Sequence, residues 1–429
     1  MKSFFKNLSE MKHFLLLWGT QSLSGLGSAM TSYALVIWSY SQEGSALATA
    51  LLMVCSYAPY VLLSIFAGAL SDRWDKRKTM LVCDAFAAAC TLATLWLLKT
   101  DSLRIWHLYV LNALTGLMNT VQQPASEVAT SALLPKEHYQ RVGGLRYLAS
   151  SLQTIFTPIA AMALLGLFGM DAVILFDLMT FAAAFLMLLF FIRLPEMARP
   201  EKKEPLLTAA HKGLQWLNKN RGVLMLIFFL AAINLVASMY NAALPAMVLS
   251  RADENALGTL NAVTGAAMLL GSLIASAMKA PKSRVRVVCN TLLFSMSFEN
   301  FLLAFGRSTP IWCIGGILGW LVIPIMNANL DALMRLHIPA DIQGRVYAAR
   351  NSLQFFTIPV GYFLGGWLVD AVFEPLLASQ EAQSLLVTLF GAGKGAGAGC
   401  FFAVLAIAGI AVCVIFRRNR DIWALEKEN

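Results

Sequence analysis

Three carboxylates stand where a charge is costly. Asp84, Asp177 and Glu299 each lie inside an apolar stretch, away from the clusters of basic residues. A charged side chain at the centre of a membrane span costs about 2.5–3.5 kcal/mol on insertion scales, so each acid needs a reason to be there. Two roles suit them. A carboxyl removed from water can load and release protons, or it can serve as a structural hydrogen-bond partner. Other chemistry finds no support in the sequence. The histidines (13, 107, 138, 211, 337) form no i,i+4 pair, and the seven cysteines (55, 83, 90, 289, 313, 400, 413) are odd in number and contain no CxxC. Neither a metal site nor a disulfide framework is indicated. No GxxxxGK[ST] occurs, which argues against ATP-driven work. No nucleophile–base pair is visible, so the reading is of a non-enzyme with no catalytic residues, no metal and no cofactor.

Polar side chains also recur at helical spacing. Gln21, Ser24, Ser28 and Ser32 fall at i, i+3, i+7 and i+11, one face of a helix. Asn112, Thr115, Asn119 and Gln122 repeat the pattern. Asn234, Ser238 and Asn241 form a third set, and Asn327 with Asp331 a fourth. Such faces either join helices by hydrogen bonds or line a polar cavity.

The elements that must carry these residues are membrane helices. The chain has 429 residues, 58% of them apolar and only 13% charged, about half the charged share of an ordinary soluble domain. Apolar stretches long enough to cross a bilayer fall at about 14–38, 46–70, 80–99, 106–126, 143–168, 171–193, 222–249, 256–278, 285–306, 310–334, 347–371 and 397–416. The first is too long for a signal peptide and further spans follow, so it reads as a retained helix. The net charge of +9 is split among short clusters between spans, which does not describe a nucleic-acid face. With the N-terminus inside, 28 of the 33 Lys and Arg fall in inner segments and 5 (Lys99, Arg104, Arg251, Arg307, Lys394) in outer loops. The positive-inside rule then places both termini in the cytoplasm.

The layout is six spans, a linker and six spans. Residues 1–193 form the first six-helix bundle, 194–221 a basic cytoplasmic linker, and 222–429 the second bundle. A longer outer loop, 372–396, ends in a glycine-rich run and is expected to be flexible. The two halves repeat. SEVATSALLPKEHYQRV (126–142) aligns with LDALMRLHIPADIQGRV (330–346), matching Glu127 to Asp331, Pro135 to Pro339, Arg141 to Arg345 and, further on, Arg146 to Arg350. SLQTIFTP (151–158) likewise matches SLQFFTIP (352–359). A duplicated six-helix unit with substrate bound near the bilayer midplane is a known transporter plan.

The loop after the second stretch reads GALSDRWDKRK from Gly68 to Lys78. It resembles the signature G-x-L-a-D-R-x-G-R-K of the major facilitator superfamily through Gly68, Leu70, Asp72, Arg73 and Arg77. It departs at Asp75, where the signature has Gly, and at Lys76, where it has Arg. The Asp variant, together with IPADIQGRV, looks like the macrolide-efflux branch of drug:proton antiporters. The resemblance implies an all-α fold of twelve transmembrane helices in two pseudo-symmetric six-helix bundles. It implies that Asp72 faces the start of helix 11, and that Lys76, or its neighbour Arg77, pairs with Glu127. Arg73, Asp331 and Arg345 join these as gating residues. Lys in place of Arg loses bidentate geometry and loosens such a latch.

In the resembled fold helices 1, 4, 7 and 10 line the central cavity, while 3, 6 and 9 are peripheral. The substrate cavity would then be lined by Gln21, Ser28, Tyr33, Asn112, Asn119, Asn234, Ser238, Met239, Asn241, Trp320 and Asn327. That wall is neutral and rich in amides and hydroxyls, with apolar partners, and suits a bulky amphipathic substrate better than a phosphate. The coupling apparatus of the family is incomplete here: helix 4 offers Asn112 and Thr115 in place of an Arg, and helix 5 has TPIAA (157–161) in place of GPxxGG. The expected protein is a monomeric exporter of amphipathic small molecules in a bacterial inner membrane. It works by alternating access in exchange for protons, with Asp84, Asp177 and Glu299 as the coupling candidates. The alternative is an exporter or flippase of the same fold for an endogenous solute such as a siderophore or lysolipid.

Overall fold

A computed structural model describes residues 12–133, 139–192, 206–339 and 342–426. Among them helices dominate and no strand occurs. Within these described residues nine helices are long and apolar enough to cross a membrane: Ala46–Leu63 within Ala46–Arg73, Lys76–Lys99, Met170–Phe190, Arg221–Arg251, Glu254–Ala277, Arg284–Phe305, Thr309–His337, Ala349–Ala378 and Ala396–Arg417. Lys12–Glu43, Ile105–Ala132 and Tyr139–Phe168 complete the set of twelve. The first two of these carry the polar stripes that begin at Gln21 and Asn112, and those stripes dilute their hydropathy. The third is apolar over Leu152–Phe168 among the described residues. The fold is an all-α membrane fold of twelve spans in two six-helix bundles, and the helices are called spans 1 to 12 below in chain order.

Two spans break where proline dictates. Span 10 consists of Thr309–Leu321 and Ile323–His337, joined at Val322. Pro324 has no N–H to offer the carbonyl of Trp320, so the ladder stops there. Span 11 is Gln343–Phe355 followed by Thr357–Leu368, and Pro359 likewise leaves the Phe355 carbonyl without its partner. Span 11 then passes through a π-helical turn, Val369–Phe373, and a short helix, Glu374–Ala378.

The chain groups into two compact units, Met1–Leu35 with Cys55–Lys203, and Val36–Val54 with Glu204–Asn429. The hairpin that joins spans 1 and 2 therefore packs within the second unit. In the first unit one core cluster gathers Leu17, Met80, Ala125, Ala129, Leu188 and Ile192 from spans 1, 3, 4 and 6 and the residues just past span 6. A second gathers Met30, Ala34, Ala161 and Val173 from spans 1, 5 and 6. Lipid is as apolar as leucine, so close packing by small residues holds such helices together.

One feature adds to the sequence reading and another departs from it. The stretch read as linker contains a helix, Leu206–Lys219, in which Leu217 is buried and Leu214 exposed. The loop 372–396, expected to be flexible, is held by specific bonds. Glu374 accepts from the backbone N–H groups of Gly395 (3.1 Å) and Ala398 (3.0 Å). Arg251 donates to the Phe390 carbonyl and Arg307 to that of Thr388. Gly391, Gly393 and Gly395 have φ of 87°, 86° and 88°, a region that L side chains rarely adopt. These glycines make tight turns into span 12, whose first residues, from Ala396 to Ala403, are buried.

Candidate functional site

Each of the three intramembrane acids is reached by donors from other helices. Asp84 sits in span 3, two turns from its start. Gln21 of span 1 donates to its Oδ2 (3.3 Å) and Gln122 of span 4 to its Oδ1 (2.6 Å). Asp177 in span 6 accepts from Ser28 of span 1 at 3.1 Å. Span 1 can come that close because residue 27 is glycine: a Cβ there would strike the Thr180 hydroxyl and lie 3.0 Å from the Asp177 Cα. Both clusters belong to the first unit.

Glu299 in span 9 forms the third cluster, in the second unit. Tyr240 of span 7 donates to its Oε1 at 2.6 Å, and the indole N–H of Trp320 in span 10 donates to the same oxygen at 2.8 Å. Trp320 stands at the proline break of span 10. A Cβ on Gly319 would collide with the Glu299 carboxylate, so the side chain fits only because that residue is glycine. Asp84, Asp177 and Glu299 are all buried. A carboxylate held away from water requires donors on its lone pairs, and in each cluster the donors that reach it are neutral.

The charged loop between spans 2 and 3 has a different order. Asp75 is the N-cap of span 3, with extended backbone and a side chain that accepts from the Lys78 N–H at 2.8 Å. This explains the departure from glycine at that position, since an aspartate cap satisfies an otherwise orphan donor. Arg77 donates to the carbonyls of Leu188 (3.1 Å) and Leu189 (2.5 Å) at the end of span 6. A cation there complements the negative end of the helix. Lys76 is buried and its ammonium lies 3.4 Å from the Trp74 carbonyl. The side chains of Asp72, Arg73, Glu127 and Arg345 lie outside the described residues. Asp331 is half-buried in span 10, and Arg350 donates to Gln354 at 3.0 Å.

A model of the major facilitator superfamily matches residues 17–278, more than half of the chain. The chain belongs to the major facilitator superfamily. It is 22% identical over 368 residues to macrolide efflux protein A of Streptococcus pyogenes, covering 84% of this chain and 90% of the relative. It is 25% identical over 380 residues to the multidrug efflux pump Tap of Mycolicibacterium fortuitum, covering 86% and 91%. The crystal structure of the nucleoside transporter NupG shares the fold with a TM-score of 0.63 at 13% identity, over 94% of this chain and 99% of that one.

As a major facilitator transporter, the chain distributes its polar stripes between two duties. Gln21, Ser28 and Trp320, which the resemblance places in a cavity wall, reach the acids. Asn112 accepts from Ser56 of span 2 at 3.2 Å. Asn234 donates to the Gln354 carbonyl at 3.3 Å. Ser238 is buried, and a Cβ on Gly361 would press on it. Tyr33, Met239 and Asn241 are half-buried. Asn119 and Asn327 remain exposed, as does Ser32. Polar groups exposed on a membrane helix face water or another protein surface more readily than lipid.

Several participants escape the sequence reading. Tyr240 and Gly319 belong to the Glu299 cluster, yet Tyr240 lies off the polar stripe of span 7. Gln122 falls on its stripe, but the stripe names no partner for it. A tyrosine one turn from buried Val236 and Leu244 carries no signal by itself, because its partner is 59 residues away. Among the described residues no group of three or more His, Cys, Asp or Glu could hold a metal ion.

Proposed function

We propose that this major facilitator transporter exports amphipathic small molecules by alternating access and exchanges them for protons. The observation that carries the reading is the neutral company of Asp84, Asp177 and Glu299. Among the described residues Lys99 and Asp171 form an ion pair at 3.4 Å, exposed on both sides. The acids are met instead by amides, a serine, a tyrosine and an indole. An ionised carboxylate without a counter-charge is strongly disfavoured in a membrane interior. Binding a proton cancels the charge while the neutral donors keep the side chain in place. Such a group can change charge state without a cation having to move.

Support for an amphipathic substrate comes from the uncharged stripes of spans 1, 4 and 7 and from relatives named for macrolide and multidrug efflux. The distribution of Lys and Arg supports both termini in the cytoplasm, and the bacterial sources of the relatives support a bacterial-type inner membrane. Purified protein in proteoliposomes, given a pH gradient and a fluorescent amphipathic cation, tests the reading. Gradient-driven transport that a protonophore abolishes is expected. Transport indifferent to the gradient would refute antiport, and coupled transport surviving Asp84→Asn, Asp177→Asn and Glu299→Gln singly would remove these acids as carriers.

A further inference from the structure

The hairpin between spans 1 and 2 is fastened to span 11 by one carboxylate. Asp370 lies in the π-helical turn Val369–Phe373. Its Oδ2 accepts from the Ser45 hydroxyl (2.6 Å) and from the Leu47 N–H (2.8 Å), and its Oδ1 accepts from the Ala46 N–H (3.0 Å). Ser45 in turn accepts from the Ala48 N–H at 3.0 Å, capping span 2. Asp370 therefore closes over the first turn of span 2, where backbone donors have no partner in the helix and an anion is favoured. Bonds of this kind to a charged acceptor are among the stronger ones in proteins.

Three further observations surround this contact. One turn before Asp370, Gly366 lets the backbones approach: a Cβ there would come within 2.7 Å of the Leu47 Cα and 3.0 Å of the Ala46 carbonyl oxygen and the Ala50 Cβ. The extra residue of a π-turn rotates the side chains that follow it, and such turns concentrate at functional positions. On the other side Lys394 lies 5.4 Å from the centroid of the Tyr40 ring, at the end of span 1. Residues 36–54 group with the second unit, while the remainder of spans 1 and 2 groups with the first. The hairpin end of these two helices, where Asp370 bonds it, therefore groups with span 11, and their other ends group with the first unit.

We propose that Asp370 is the positioning residue of an outer latch, which holds the hairpin of spans 1 and 2 on span 11 and must release for the carrier to open to the outside. The inference rests on alternating access and on the orientation read from the positive charges, and needs neither the substrate class nor proton exchange. The charges near the latch are fixed in other ways. Glu374 is committed to the start of span 12, Arg251 to the Phe390 carbonyl, and Lys394 to the Tyr40 face. Asp370 alone among them bonds the hairpin backbone.

The test uses spin labels at Glu43 and Ser379, both exposed, on the full chain with its native cysteines replaced. Electron–electron distance measurements in nanodiscs read the separation of the hairpin from the end of span 11. Asp370→Ala should raise the population with the longer distance by about tenfold or more, and Ser45→Ala, which removes one of three donors, by less. Asp370→Glu should restore most of the short-distance population, which a general packing defect would not allow. An Asp370→Ala distribution identical to that of the parent protein would overturn the latch. Should Asp370→Ala fail to fold, Asp370→Asn carries the same comparison. Because no gradient or substrate enters the measurement, the latch can fail while proton-coupled export stands, and the reverse.

Discussion

Asp84 and Glu299 are equally buried, each with 4% of its surface exposed, yet they are held in opposite ways. Asp84 is reached by two long amides from two different helices, one on each oxygen. Glu299 is gripped on a single oxygen by two aromatic donors and is walled by Gly319. An amide on a flexible side chain can turn to another partner when a carboxyl gains a proton or a substrate arrives. A tyrosine and an indole packed between helices have fewer places to go. The difference teaches that equal burial leaves two acids with unequal freedom, because their partners differ in how far they can turn. Under the proposed proton exchange, Asp84 would be the acid that changes partners during transport and Glu299 the more rigidly held one.

The comparison can be broken most sharply by charge removal. Asp84→Asn and Glu299→Gln should each lower gradient-driven transport by about tenfold or more, a change of ~1.4 kcal/mol, in the proteoliposome assay. Equal loss of binding and of coupling in both variants would erase the distinction between the sites. Next in size is packing. Gly319→Ala forces the Glu299 carboxylate to move and should destabilise the detergent-solubilised protein by about 1–3 kcal/mol, read as a drop in thermal unfolding temperature. Tyr240→Phe deletes one of two donors to a buried acid and should cost about 1–3 kcal/mol by the same measurement. Gln122→Ala takes the amide donor from the Asp84 Oδ1, with Gln21 left on the other oxygen, and should cost a similar ~1–3 kcal/mol. The Gln21→Ala/Gln122→Ala pair should exceed the sum of its single changes. Smallest of all, Lys99→Ala breaks an exposed pair and should change stability by no more than about 1 kcal/mol.

What was legible in the sequence follows from the solvent. A bilayer demands helices of a minimum apolar length, so the twelve spans can be read from composition. The acids Asp84, Asp177 and Glu299 stood out for the same reason, as charges in hydrocarbon. The superfamily was visible in the residues from Gly68 to Lys78, where a short charged loop recurs in a fixed pattern. Helical spacing also showed that Gln21 and Ser28 share a face, but it could not say what the face meets.

That choice belongs to tertiary structure. Whether Gln21 lines a cavity or bonds Asp84 depends on how span 1 is rotated against span 3. Gly27, whose missing side chain admits the Asp177 backbone, helps set that rotation. Tyr240 and Glu299 lie 59 residues apart, and Ser45 and Asp370 lie 325 apart, so no local pattern could pair them. The sequence by itself determined how many helices cross the bilayer, which residues are too polar for it, and the family to which the chain belongs. Only the packing decided which donor meets which acid, because hydrogen bonds form over about 3 Å and helix register and rotation must be fixed before any such distance exists.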